Sequence, residues 1–365
     1  MKFTCSRQAL QSALGVLGSV IPSHSVKPIL QNICFEPAGE NQLSLSATDL
    51  DVGVKYLLEV ENLSEPVSLA LPAQRLNGIV RTVWGDKLSF DIKDYKATIG
   101  ADRSSFRVPG EPGDEFPQIA SLNEEEAMEV RAEDLARAIQ QTIFATARDE
   151  SRYTLAGIFM QANKNSLELA ATDTYRLTVA KRKLRGNGGQ STAIVIAKGM
   201  QELAKLLDGE ELVKFQITET QLLVKTSKAS LASHLIEGQF PRYGDIIPKG
   251  NDRKVKVKRE EFLQALNQAA LVANELTHGV RLIVEAGKMR IQASSEKGDA
   301  DITLEAEIEG AEVAANFNYT YLTEVLKVLT EETVTFQLKD NSSPGKIETD
   351  DYIYVVSPIY PKAGQ

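Results

Sequence analysis

The residues best suited to chemistry in this chain are three histidines (His24, His234, His278), two cysteines (Cys5, Cys34) and two aspartate pairs, Asp49 with Asp51 and Asp299 with Asp301. The histidines are scattered, with no metal ligand or nucleophile at a working spacing beside them, and no H-E-x-x-H segment occurs. Gly287-Lys288 and Gly345-Lys346 lack the upstream glycine and the following Ser or Thr of a phosphate-binding loop. No G-x-S-x-G elbow presents a nucleophile. The aspartate pairs flank strand-like runs, where they read as turn caps rather than metal carboxylates. The cysteines have neither C-x-x-C spacing nor the number a disulfide framework needs, which suits a reducing compartment. The expectation is a protein without catalytic residues, cofactor or metal.

The 365 residues are 42% apolar and 25% charged, enough for two or three cores, and the net charge is -9. Met1-Lys2-Phe3-Thr4-Cys5-Ser6-Arg7 is not the start of a signal peptide, and no run approaches the ~18 apolar residues of a membrane span. A cytoplasmic location is expected. Glu124-Glu125-Glu126 reads as a solvated turn, and Gly186-Asn187-Gly188-Gly189 as a short turn-like patch. An acidic total argues against tight non-specific binding of nucleic acid, so the distribution of charge must decide.

The elements that would position any site repeat about every 125 residues. Phe3 and Cys5 alternate as in a strand, and Leu10 and Leu14 follow at helical spacing. Met128, Val130, Leu135 and Ile139 return at the same offsets, as do Val255, Val257, Phe262 and Leu266. The strand Leu43-Ser44-Leu45-Ser46-Ala47-Thr48-Asp49 is matched by Leu167-Glu168-Leu169-Ala170-Ala171-Thr172-Asp173 and by Met289-Arg290-Ile291-Gln292-Ala293-Ser294-Ser295. Ala47 to Ala171 is 124 positions and Ala171 to Ala293 is 122. A helical stripe recurs as Leu76, Ile79, Val83, then Met200, Leu203, Leu207, then Leu322, Val325, Leu329. Strands beginning at Leu88, Val213 and Val334 complete the pattern. Breaker-rich joints follow copies one and two, at Pro109-Gly110-Glu111-Pro112-Gly113-Asp114-Glu115-Phe116-Pro117 and Glu237-Gly238-Gln239-Phe240-Pro241. Three domains are expected, at 1–124, 125–252 and 253–365. Each is α+β, with two helices packed on mainly antiparallel sheets.

A threefold repeat that dimerises head to tail gives six similar lobes, which close into a ring if the rotation per lobe suits. Twelve helices ~10 Å across then make a circumference of ~120 Å and leave an opening of ~28 Å, room for a DNA duplex. The helix bases Arg7, Arg75, Arg81, Arg137, Lys198, Lys205, Lys258, Arg259 and Lys327 stand against Glu133, Asp134, Glu202, Asp208, Glu260, Glu261 and Glu324. The helices are therefore slightly basic and the rest of the chain is acidic. Glu133, Asp134, Glu260 and Glu261 fall in first helical turns, where the macrodipole favours them.

Met1-Lys2-Phe3-Thr4, Lys27-Pro28-Ile29-Leu30-Gln31-Asn32, Ala171-Thr172-Asp173 with Arg176-Leu177, Phe240-Pro241 with Tyr243, Asn274-Glu275 with Gly279-Val280-Arg281-Leu282, and Tyr354-Val355-Val356 with Pro358 together resemble the beta subunit of bacterial DNA polymerase III. The resemblance spans the chain. It implies a DNA-clamp fold in a ring-forming homodimer, which tethers the replicative polymerase, clamp-loader subunits and repair proteins to duplex DNA without reading its sequence. It also implies a hydrophobic cleft for partner peptides, between the second and third domains. From domain two the cleft takes Leu155, Thr172, Thr174, Tyr175, Arg176, Leu177, Pro241, Ile246 and Ile247. From domain three it takes Asn318, Tyr321, Val355, Ser357, Pro358 and Ile359. Leu155, Leu177 and Val355 read equally well as core. The resemblance places the dimer contact at Arg103, Phe106 and Val108 on an edge strand, facing Leu271, Val272, Glu296, Asp299 and Asp301 of a second copy, with Arg103 against Asp299 or Asp301. It sets His24, Lys27, Arg148, Arg152, Tyr153 and Lys198 toward DNA, beside the helix bases Arg7, Arg75, Arg81, Arg137 and Lys205. Two departures bear on partner preference: the family commonly has Gly where this chain has Thr174, and its usual ending is replaced by Ser357-Pro358-Ile359-Tyr360 and five further residues. Two other readings remain open. A peptide-binding scaffold that never encloses DNA would differ in native mass, and a hydrolase would show turnover dependent on Asp173.

Overall fold

Every helix begins where a strand ends, with no loop between them. In the computed structural model, which describes all residues except 66, 186–188 and 360–365, α1 is Arg7–Gly18, α2 Ala73–Thr82, α3 Ala132–Ile143, α4 Ala197–Leu206, α5 Arg259–Ala270 and α6 Tyr319–Val328. The first helix of each copy has 12 residues and the second has 10, so the repeat read from apolar spacing is a repeat of structure. Periodicity explains the helices: α1 buries Leu10, Ala13, Leu14 and Leu17, and α5 buries Phe262, Ala265, Leu266 and Ala269. Side-chain oxygens cap two of them, Ser6 accepting from Ala9 N at 3.3 Å and Asn318 accepting from Thr320 N at 2.8 Å. Among the described residues Gln141, Thr142, Glu202 and Thr323 are polar helix residues that are buried. Glu202 of α4 is buried, bonded to the Ser19 hydroxyl and to Lys205 Nζ at 2.8 Å. The turn at 186–188 and the tail from Tyr360 lie outside the described residues.

The chain forms two compact units, and these do not follow the three copies. One holds Met1–Ala136, Ala162–Asn165 and Leu184–Leu235; the other holds Arg137–Gln161, Ser166–Lys183 and the chain from Ile236 onward. The reason is that sheets run through the expected joints. In the first unit, Val52–Glu59 of copy one pairs antiparallel with Ala229–His234 of copy two, with Val54 opposite Leu231, inside a nine-stranded sheet. In the second unit, Arg176–Lys183 of copy two pairs with Tyr352–Val356 of copy three, with Thr178 opposite Tyr354. Leu57 N donates to Lys228 O at 2.8 Å in the first pairing, and Lys181 N donates to Asp351 O at 2.8 Å in the second, which is the same bond at equivalent positions. Copies are therefore welded by main-chain hydrogen bonds, and the breaker-rich segments merely carry the chain across.

The two remaining sheets each stop at an open edge. In the first unit five strands lie in the order Glu61–Ser64, Lys2–Ser6, Lys87–Lys93, Lys96–Ala101, Ser104–Pro109. The second unit has four, in the order Gly298–Glu305, Lys288–Ser295, Gly279–Glu285, Val313–Asn318. Phe3 and Phe90 stack at 4.5 Å in one core, and Phe317 meets Phe336 edge-on at 5.4 Å in another. No helix among the described residues is long and apolar enough to cross a membrane.

Gly53 shows how closely the first joint is filled. A Cβ there would lie 2.9 Å from Ile119 Cγ1, at the position that Leu177 occupies in copy two. Gly53→Val should lower stability by roughly 1–3 kcal/mol through overpacking. Gly53→Val paired with Ile119→Ala should recover most of that loss, as read from urea unfolding midpoints.

Candidate partner-peptide cleft

The hairpin joining Ser166–Thr172 to Arg176–Lys183 builds the site, and its turn is set by short polar side chains. Asp173 Oδ1 accepts from Tyr175 N at 3.0 Å and Arg176 N at 3.1 Å. Thr172 Oγ1 donates to Arg176 O at 2.6 Å and accepts from Thr174 N at 3.1 Å. The result holds Thr174 at φ 79, in the left-handed region. Thr48 and Asp49 build the same turn in copy one, with Leu50 at φ 84.

Arg176 is the centre of the cleft and is spent on its own chain. Its Nε donates to Asp173 Oδ2 at 3.0 Å, one Nη donates to Glu324 and the other to the Phe144 carbonyl. The Tyr321 ring lies 4.4 Å from the guanidinium carbon and the Phe144 ring 5.2 Å. Burial works against the charge, but the Glu324 bond and the field of Asp173 outweigh it and raise the guanidinium pKa. Arg176 therefore ties Asp173, Glu324 and the Phe144 carbonyl together at this position. Above it, Tyr175 is 55% exposed and stacks on Tyr321 at 6.5 Å. Ser357 N donates to Tyr175 O at 2.8 Å and Ile359 N to Asn316 O at 2.7 Å, so the C-terminal strand continues along the site.

The floor is a cluster of Ala170, Leu177, Val179 and Val355, packed against Phe159, Phe240, Tyr243, Ile247 and Ile353. The expected set thus divides. Leu155, Thr172, Leu177, Val355 and Pro358 are buried and form floor and support. Thr174, Tyr175, Pro241 and Ile246 are exposed, while Ile247, Asn318, Tyr321, Ser357 and Ile359 are half-buried. Asn318 spends its side-chain oxygen on α6. Phe144, Phe159 and Glu324 were not picked out by sequence. For Glu324, which is half-buried, a signal existed, since it stands 122 positions after the buried Glu202 of an equivalent helix.

The expected DNA-facing set divides as well. Lys198 is paired with Asp49, Lys205 with Glu202 at 2.8 Å, and Arg137 with Glu331 at 3.6 Å. Arg152 donates to the Asp173 carbonyl and to Thr174, which makes it part of the cleft rim. Arg7 gives its Nε to Gly85 O at 2.9 Å and has no acid partner. Arg75, Arg81, Arg148, His24 and Lys27 are exposed and form no ion pair among the described residues, and Tyr153 is 58% exposed. At the expected dimer contact, Val108 is buried in its own sheet, so only its backbone is available. Asp301 accepts from Arg290 Nε at 3.1 Å and from Gln292 at 2.9 Å within its own chain.

Three copies of one α+β module, welded through shared sheets and carrying an apolar cleft at the second weld, define a clamp-type repeat protein. Profiles of the DNA polymerase III beta subunit match throughout: the N-terminal domain at residues 1–120, the central domain at 129–242 and the C-terminal domain at 244–362. The chain belongs to the DNA polymerase III beta subunit family. It is 32% identical to the beta sliding clamp of Pseudomonas putida over 98% of this chain and 100% of that one. The crystal structure of the Pseudomonas aeruginosa DNA polymerase III subunit beta is 30% identical with a TM-score of 0.93, covering 99% of this chain and 100% of the other. The Bacillus subtilis sliding clamp structure is 26% identical with a TM-score of 0.94, covering 99% of each.

Arg176→Leu should leave Asp173 and Glu324 as uncompensated, largely buried charges and cost about 3 kcal/mol. Adding Glu324→Leu should return part of that stability. Urea unfolding of the two variants checks both statements.

Proposed function

We propose that this chain is a DNA sliding clamp, a non-catalytic processivity subunit of the cytoplasm. Two copies close head to tail around duplex DNA and tether polymerase, clamp-loader and repair proteins through the cleft. One observation carries the ring: the weld between copies occurs twice in the chain, and the strands that would form it a third time are both open edges. Gly298–Glu305 is the copy-three equivalent of Val52–Glu59 and Arg176–Lys183. Ser104–Pro109 is the copy-one equivalent of Ala229–His234 and Tyr352–Val356. Long open edges invite pairing.

Carrying over the register of the two internal welds sets Ala300 opposite Phe106 of the second copy. Arg107 then stands opposite Asp299, Ser105 opposite Asp301 and Arg103 opposite Thr303. One face of the joined edge becomes Arg103, Ser105 and Arg107 against Thr303, Asp301 and Asp299, all exposed in the single chain. The other becomes Phe106 and Val108 against Ala300, Gly298 and Ile302. Val272 lies beside Gly298 and Leu271 is 76% exposed, both placed to extend the apolar side. Glu296 is exposed in the preceding turn. Arg107 joins the expected interface, and Asp299 takes the charge role shared earlier with Asp301.

Among the described residues, the expected DNA-facing cations without an ion pair lie mostly in copy one, with Arg148 in copy two. Helices α1 and α2 hold Arg7, Arg75 and Arg81 and no acid, whereas Lys258 and Arg259 of copy three are paired with Glu261 and Glu260. Loose, sequence-independent contact suits a clamp retained by enclosure.

Arg107→Asp or Asp299→Arg alone sets like charges opposite each other at two interfaces and should weaken the dimer roughly tenfold, while the double reversal restores it. Sedimentation velocity reads the result, and a dimer indifferent to all three variants excludes this register. Loaded protein should stay on circular DNA and run off linear DNA; equal retention on both counts against enclosure. Arg75→Gln with Arg81→Gln should reduce the slope of log affinity against log salt by roughly 1.8, with little change for Lys198→Gln and Lys205→Gln.

A further inference from the structure

Helices of neighbouring copies also meet, and in one arrangement at both welds. At the first weld Ser19, the residue after α1, donates to Glu202, the sixth residue of α4. At the second, Phe144, the residue after α3, and Glu324, the sixth residue of α6, are tied through Arg176. The other end of that pair is fixed as well: Arg137, the sixth residue of α3, donates to Oγ1 of Thr330, the second residue after α6, at 3.3 Å. The end of one helix lies at the middle of the next and the middle at its end, as in an antiparallel pair.

The same positions of α5 and α2 lie open. The residue after α5 is Leu271, 76% exposed, and the sixth residue of α2 is Gly78, where an added Cβ would meet nothing within 4 Å. The sixth residue of α5 is the exposed Gln264, and the second residue after α2 is Trp84, 72% exposed. Trp84 is the chain's single tryptophan, and its loop is braced. Val83 N donates to Ile79 O at 3.1 Å, Arg7 Nε to Gly85 O at 2.9 Å and Arg7 N to Asp86 O at 2.8 Å. Gly85, at φ 87, then turns the chain back into Lys87–Lys93. A large ring held out on a fixed loop loses little freedom when it is covered.

Resting on the head-to-tail ring proposed above, we propose that the helix pair of the two welds forms a third time between chains, with Trp84 seated on α5 of the second copy over Gln264 and Leu271 seated on Gly78. The Gln264 stem meets the indole face, and its side-chain oxygen can accept from the indole N–H. Trp84 thereby anchors the dimer beside the joined strands rather than through them.

With one tryptophan in the chain, fluorescence excited at the red edge of its absorption reads this contact alone. Emission followed beside sedimentation velocity through a dilution series should move to the red, and iodide quenching should rise, in step with dissociation of the dimer. Asp299→Arg should show the same change at a higher protein concentration. Trp84→Ala should weaken the dimer at least about thirtyfold, the loss of one anchoring aromatic. In the Asp299→Arg background, at concentrations where the chain is monomeric, Trp84→Ala should leave the urea midpoint unchanged, which separates a lost contact from a lost fold. A dimer whose emission and quenching match those of the dissociated chain, or a Trp84→Ala dimer of unchanged affinity, overturns the proposal and leaves the ring standing. Emission that answers to added duplex DNA and not to dimer formation overturns it too. If the wild type stays monomeric at every concentration, the ring reading falls, and this one with it.

Discussion

Main-chain pairing between one copy's Val52–Glu59 type of strand and the next copy's Ala229–His234 type of strand is the constraint from which the other features follow. A strand edge exposes a row of N–H and C=O groups that must find partners or water. Within the chain the pairing is satisfied twice, in the same register, with the same Lys228 and Asp351 carbonyls accepting from equivalent amides. The two strands left over are complementary in pattern. Half-buried and exposed positions alternate in phase along Ser104–Pro109 and Gly298–Glu305, with arginines on the exposed face of one and aspartates on that of the other. A repeat with one unpaired strand of each kind at its two ends either aggregates or closes on a second copy.

The welds also make the site. At the second weld a single arginine ties the turn at 173–175 to α6 and to the end of α3 through Asp173, Glu324 and the Phe144 carbonyl. A buried ion pair is weak evidence for stability, because desolvation offsets most of the attraction, but it penalises any geometry that separates its members. The better-founded reading is that Arg176 fixes the shape of the rim on which Tyr175 and Tyr321 stack. The first weld has the same turn with different contents. Val52 replaces Arg176, and Gly53 with Ile119 fills the ground that Leu177 holds in the second. A few side chains thus give two equivalent joints different contents.

Charge is handled in the same economical way. Most helix cations of copies two and three are neutralised by acids of the same chain, while the acid-free helices of copy one keep theirs open. A chain with net charge -9 can still meet a polyanion if its few open bases share one surface. Binding of this kind is shallow and salt-sensitive, as sliding requires.

Much of this was legible in the residues. Apolar spacing alone located all six helices, the strand before the first helix of each copy and the strand after the second, because a stripe that must face a core leaves a period that survives divergence among the copies. The turn aspartate Asp49 was readable too, and its carboxylate bonds to amides two and three residues on; Asp173 does the same at the equivalent position of the repeat. What the residues did not disclose depends on pairs distant in sequence. The sheets that pass through the joints between copies could not be read from the breaker segments, because strand pairing leaves no local mark on composition. The bond between Arg176 and Glu324, 148 positions apart, could not be read from spacing. Lys198 and Lys205 resembled phosphate contacts until Asp49 and Glu202 were found beside them. Local pattern determined what each element is; only tertiary structure decided which charges remain unspent, since neutralisation is a matter of distance in space.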